Sequence, residues 1–145
     1  MIFKISNLNK NIFFYEIYDL LSVFGEISGF LAEDDFFIFK FSNLKFNLLN
    51  LDYLSLGGKR LIIVKSKEYD YGFDCLPSNE EYLLLKNISL EDIKNECIRY
   101  GSIEEVYEEN GNIKVKCTSK EDLKMIFRHL YGRFYKNRRV RVVCK

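Results

Sequence analysis

Apolar positions along the chain change period in a fixed order, and the order occurs twice. Ile2, Phe3 and Ile5 open as a strand, and Phe14, Ile17, Tyr18 and Leu21 then recur at helical spacing until Phe24-Gly25 ends that helix. Two strands follow, Glu26 to Leu31 and Phe36 to Phe41, across the acidic turn Glu33-Asp34-Asp35. Leu44, Leu48 and Leu51 make the stripe of a second helix over Asn43 to Leu54, which Gly57-Gly58 ends before a last strand, Leu61 to Val64.

The second half runs through the same elements. Tyr82 to Leu85 predicts a strand, Leu90 to Arg99 a helix stopped at Tyr100-Gly101, and Ile103 to Tyr107 another strand. Asn110-Gly111 is a strong hairpin turn, and beyond it Ile113, Val115 and Cys117 alternate as one buried face. Leu123, Ile126, Phe127 and Leu130 form the final helical stripe, Gly132 breaks it, and Val140 to Cys144 closes the copy. Landmarks keep their spacing: Asn7 to Asn87 is 80 residues, Gly25 to Gly101 is 76, and Leu61 to Val140 is 79. This is a duplication, with domains expected at 1–66 and 80–145 and a linker at 67–79 around the only proline, Pro77.

Composition fits two small domains. Of the 145 residues, 48% are hydrophobic and 30% charged, enough apolar surface for a core in each copy. The net charge of +1 advertises no nucleic acid, but the halves differ. Residues 1–74 hold 8 Lys/Arg against 10 Asp/Glu, and residues 75–145 hold 14 against 11, so basic character lies in the second half. Cys75, Cys97, Cys117 and Cys144 form no CxxC pair and read as reduced, buried thiols of an intracellular protein. The N-terminal segment has no signal-peptide pattern, and no apolar run is long enough to span a bilayer.

Strand-helix-strand-strand-helix-strand, with Asn-Leu or Asn-Ile after the first strand and aromatic-Gly after the first helix, resembles the RNA recognition motif (RRM) family over nearly the whole chain. The resemblance implies an α+β fold: two ferredoxin-like βαββαβ domains in tandem, each a four-stranded antiparallel sheet backed by two helices. Such sheets stack single-stranded RNA on aromatics of their central strands. In the first copy Lys4 stands where an aromatic is usual, Phe36 keeps one stacking slot, and Ile38 occupies the other. In the second copy the three slots hold Leu84, Asn112 and Lys114. Stacking is worth about 1–3 kcal/mol per base, so this second sheet is not expected to read bases that way. Alternation still projects Lys86, Lys114, Lys116 and Arg141 from it. Those cations suit a phosphate backbone followed without sequence preference, and equally a solvated lysine-rich face.

The segment Gly132-Arg133-Phe134-Tyr135 resembles the Arg-X-Phe loop of the U2AF homology motif, an RRM subclass. The helix Glu91-Asp92-Ile93-Lys94-Asn95-Glu96-Cys97 is similar to that subclass's acidic first helix. What the resemblance implies is a pocket for one Trp of a basic ligand peptide, with Arg133 paired to a helix acid, Phe134 at the variable position and Tyr135 stacked on the Trp. Asp92 and Glu96, four apart on one helical face, would meet the peptide's basic residues. Asp92 has a competing task, because Ser89-Leu90-Glu91-Asp92 is also a helix cap.

An RRM followed by such a motif is similar to the large-subunit family of the U2 auxiliary factor. That similarity implies a nuclear pre-mRNA splicing protein whose partner peptide comes from the branch-point-binding protein or a U2 snRNP component. The Tat-specific-factor family, with the same order of modules, and a general RNA-binding tandem RRM are the alternatives. An enzyme is not expected. His129 is the lone histidine, Gly57-Gly58 lacks the Lys-Ser/Thr of a phosphate loop, and no metal or cofactor motif is present.

Overall fold

The computed structural model describes residues 1–51, 54–67, 72–74, 82–97, 99–100 and 102–142. They form two compact units, Met1–Cys75 and Leu76–Lys145. In the first, β1 (Ile2–Ser6), β2 (Gly25–Ala32), β3 (Phe36–Leu44) and β6 (Ile62–Ser66) make one antiparallel sheet in the order β2-β3-β1-β6. A two-residue hairpin, β4 (Ser55–Leu56) and β5 (Lys59–Arg60), precedes the last strand. Alternation decides the faces: Phe3 and Ile5 of β1 and Phe37, Phe39 and Phe41 of β3 are buried toward α1 (Phe14–Ser22). The core there is aromatic, with Phe14 4.9 Å from Phe37 edge-on and 5.4 Å from Phe39 in a stack.

In the second unit, β12 (Arg141–Val142), β7 (Tyr82–Lys86), β9 (Asn112–Cys117) and β8 (Ile103–Glu109) repeat the order β12-β7-β9-β8. Helices α2 (Leu90–Cys97) and α3 (Lys120–Leu130) back this sheet, and β10 (Phe134–Tyr135) with β11 (Arg138–Arg139) forms the equivalent hairpin. Leu83 and Leu85, Ile113, Val115 and Cys117, and Ile93, Leu123, Ile126, Phe127 and Leu130 make the core. Ser119 starts α3, its hydroxyl accepting from the Asp122 backbone N–H at 3.1 Å. Each unit thus has the topology of an RNA recognition motif, and the chain is α+β.

Equivalent hydrogen bonds show the duplication residue by residue. Asn7 and Asn87 both adopt left-handed backbone, φ 60° and 68°, a conformation that asparagine tolerates. Each donates its side-chain amide to the small hairpin of its own unit, Asn7 to the Arg60 carbonyl at 2.7 Å and Asn87 to the Arg139 carbonyl at 2.9 Å. The hairpins close alike, Leu61 N–H to Leu54 at 2.7 Å and Val140 N–H to Arg133 at 2.8 Å.

Three expectations need correction. Asn43 to Leu54 is not an α-helix: Asn43 and Leu44 extend β3 opposite Glu26 and Gly25, and only Leu48–Leu51 winds, as a 3-10 turn. Asparagine competes for the backbone here, since the Asn47 side-chain oxygen accepts from the Leu49 N–H at 3.1 Å. With Leu48 and Leu51 three apart and both buried, the stripe is satisfied by the tighter turn. Asp52 and Tyr53 lie outside the described residues. Gly57-Gly58 therefore ends no helix; at φ 59° and 79° the pair is the two-residue turn between β4 and β5. Finally, Gly72–Asp74, expected in the linker, belong with the first unit. Phe30 and Asp74 exchange backbone hydrogen bonds at 2.8 and 3.3 Å, adding an edge bridge beside β2. Pro77, Ile98, Gly101 and the end of the closing strand, 143–145, lie outside the described residues.

Candidate docking and nucleic-acid surfaces

The loop between α3 and β12 is held from beneath. Arg139 is buried, 2% exposed, and its guanidinium donates to the Gly132 carbonyl at 2.7 Å while lying 4.1 Å from the Phe134 ring. Phe134 and Arg139 are a cross-strand pair of the β10–β11 hairpin, so alternation sends the next residue, Tyr135, to the other side. There Arg133 donates to the Glu96 carboxylate of α2 at 3.1 Å, a partly buried ion pair. The Arg133 guanidinium is 5.8 Å from the Tyr135 ring. Glu96, Arg133 and Tyr135, from two elements 37 or more residues apart, are thus assembled in one place.

The Tyr135 hydroxyl is buried between the loop and α2. It faces the Glu96 carboxylate, yet no partner meets it in full hydrogen-bonding geometry. Burial pushes its pKa up to about 12; Arg133 opposes that shift, and Glu96 and Asp92 add to it. Asp92 itself is engaged in the start of α2. Its carboxylate accepts from the Ser89 hydroxyl at 2.7 Å while its own N–H donates to Ser89 at 3.2 Å, a reciprocal cap. In the first unit the residue equivalent to Arg133 is Leu54, and the hairpin residues following it are Ser55 and Leu56, so that copy carries no such cluster.

The open sheet face of the second unit brings Lys86, Lys114, Lys116 and Arg141 together, Arg141 directly opposite Lys86. Carboxylates of β8 stand among them. Glu105 pairs in register with Lys116 and Glu109 with Asn112, and Lys116 bridges to Glu104 at 3.8 Å. A hydrogen bond with Tyr107, then Glu109 and Glu105, raise the Lys114 pKa above that of an ordinary lysine. Two aromatics that the stacking slots did not predict flank the same ammonium: it lies 4.1 Å from the Tyr82 ring and 5.8 Å from that of Tyr107. Their period-two placement opposite Lys116 and Lys114 was the available signal. His129 takes a packing role, stacked 4.1 Å from Tyr100 and bonded through Nδ1 with the Met125 carbonyl at 2.8 Å.

In the first unit Lys4 and Phe36 do meet on the open face, the ammonium 4.4 Å from the ring. Ile38 corrects the sequence reading. It is 2% exposed, packed with Ile2 and Leu31, with Phe36 and Phe73 against that cluster. Phe73 reaches the face because Gly29 has no side chain: a Cβ there would lie 3.1 Å from the ring. A side chain buried in this way is not presented to a base. Nothing in the sequence announced Phe73, which follows Gly72 in a stretch of linker composition.

No protein-family model matches the chain, and no curated protein does. Solved structures are similar in fold. Sex-lethal RNA recognition domains 1 and 2 from Drosophila melanogaster align over 98% of this chain and 99% of that one, at 14% identity and TM-score 0.42. The first two RRM domains of the yeast poly(U)-binding protein Pub1 cover 100% of both, at 14% and 0.41. The N-terminal three RNA-binding domains of the yeast splicing factor Prp24 align over 99% of this chain and 62% of that one, at 15% and 0.40.

Proposed function

We propose that the second unit is a peptide-docking module of the U2AF homology type, taking a Trp-containing basic segment of another pre-mRNA splicing factor in the nucleus. The observation that carries the reading is the partly buried Arg133–Glu96 pair beside Tyr135. An arginine fixed by a helix carboxylate gives a Trp indole one cationic and one aromatic wall, and residual negative charge along α2 favours basic flanking residues. Glu96 and Tyr135 make the docking contacts, with Asp92 contributing charge from its cap. Beneath them, Phe134 on Arg139 keeps the loop in shape.

Calorimetric titration of the full chain with a Trp peptide flanked by arginines tests this. Saturable binding is expected, lost on replacing the Trp by Ala and weakened at least about tenfold by Arg133→Glu or Glu96→Lys. Binding that ignores the Trp, or none at submillimolar peptide, refutes the assignment.

A second reading concerns the first unit, where Lys4 over Phe36 lies beside Ile62 and Val64, 46% and 50% exposed. In this reading that surface holds single-stranded RNA weakly, with one ring for stacking. Affinity for a uridine oligonucleotide that falls on Phe36→Ala supports it, and affinity unchanged by that substitution excludes it.

A further inference from the structure

The open face of the first sheet carries an aromatic ring that none of its four strands supplies. Ile2 of β1 and Ile38 of β3 alternate with the helix-facing Phe3, Phe37 and Phe39, and Leu31 of β2 stands opposite Ile38, so the three share the open face. They are nevertheless 1%, 2% and 3% exposed, with Phe36 and Phe73 packed against them. Phe73 comes from Gly72–Asp74, beyond the last strand. Asp74 pairs with Phe30 on the edge strand β2. Phe30 points into the core beside Phe14, and Asp74 is buried with it, so alternation turns Phe73 to the open side. Gly29 leaves the room that the ring takes.

Phe73 engages the kinds of group that a nucleotide would use on this face. Its ring packs on the cluster that contains Ile38, and the Lys40 ammonium lies 5.8 Å from it, much as Lys4 lies 4.4 Å from Phe36. A base stacked over Ile38, with its phosphate at Lys40, needs the place that this ring now holds. We propose that Gly72–Asp74 is an autoinhibitory strap, in which Phe73 stands in for a base on the first sheet and single-stranded RNA binds there by displacing it. This rests on the reading of the first unit as an RNA surface and adds the regulation of that surface. The strap is anchored by a bridge at the sheet edge and by one ring, contacts that can open locally while the sheet stays folded. Apparent affinity is then scaled by the fraction of molecules with the strap open, and whatever opens the strap strengthens binding.

The test titrates the full chain into a labelled uridine oligonucleotide and reads fluorescence anisotropy. Phe73→Ser should tighten binding at least about fivefold. Gly29→Val should act in the same direction without touching Phe73, because a Cβ at Gly29 already lies 3.1 Å from that ring; it carries the test should Phe73→Ser fail to fold by circular dichroism. Adding Phe36→Ala to either variant should abolish the gain. The chain contains no tryptophan, so Phe73→Trp reports on the strap alone, and its emission should move to longer wavelength as the oligonucleotide saturates. Unchanged affinity in both Phe73→Ser and Gly29→Val overturns the strap while leaving the RNA reading intact, provided that wild-type binding falls on Phe36→Ala. Weaker binding of Phe73→Ser, with Phe73→Trp emission quenched in place, overturns it by making Phe73 a stacking ring of the site. A gain that survives Phe36→Ala overturns it as adhesion to the bared apolar cluster. Absence of binding by wild type and by both variants overturns the RNA reading and the strap together.

Discussion

In the proposed docking role Tyr135 uses its ring alone, and its hydroxyl contributes nothing. Its oxygen is buried without a partner in good geometry, so Tyr135→Phe is expected to leave stability unchanged or raise it by up to about 1 kcal/mol, read by urea denaturation. The same substitution should preserve Trp-peptide affinity. The pH dependence has a definite sign. The native state keeps the phenol proton to about pH 12, whereas the unfolded chain loses it near 10. Stability tied to this group is full below pH 10 and falls as pH rises from there toward 12. Tyr135→Phe removes that fall, and a wild-type curve flat across the window would contradict the burial. Cys117 gives a second test at this scale. Burial raises its thiol to about 11, with Asp122 adding a smaller push, so about one molecule in a thousand is thiolate at pH 8. Peptide mapping after brief native alkylation should find Cys117 unmodified, and unfolding should expose it.

At the scale of elements, the two hairpins pose the same backbone problem with different residues. Gly57-Gly58 meets the left-handed turn without cost, whereas Lys136 and Asn137 adopt φ 50° and 68°. A lysine held there costs about 1–2 kcal/mol, so Lys136→Gly should raise stability by about 1 kcal/mol in chemical denaturation. A loss instead would mean that the Lys136 side chain makes a stabilising contact. Most strands and the helices α1 and α3 were legible from periodicity, because alternation and the 3.6 repeat are imposed by one-sided burial. The segment Asn43 to Leu54 was not. Its leucines fit an α-helical stripe, but Asn43, Asn47 and Asn50 offer the backbone other partners, and a 3-10 turn buries Leu48 and Leu51 equally well. Phe73 was illegible for another reason: its place depends on the absent side chain of Gly29, a complementarity between distant positions that no local pattern carries.

For the whole molecule, the duplication was readable because equivalent landmarks recur at nearly constant spacing, and Asn7 and Asn87 show why they were retained in each copy's geometry. What differs between the copies is charge and surface. The second sheet carries Lys86, Lys114, Lys116 and Arg141, but Glu104, Glu105 and Glu109 stand among them, a cross-strand arrangement that single-strand reading did not weigh. Replacing Glu105 and Glu109 together by Gln should therefore raise affinity for a uridine oligonucleotide and steepen its salt dependence. No change would place any RNA contact elsewhere. The central claim is that the second unit reads protein through α2 and the Arg133 loop. Titrating the isotopically labelled full chain with the arginine-flanked Trp peptide tests it most directly. The account predicts amide shifts concentrated at Asp92, Glu96 and Gly132 to Tyr135, with the first unit and the strands β7 and β9 silent. Shifts centred on Tyr82, Lys114 and Lys116, or on the first unit, would contradict it.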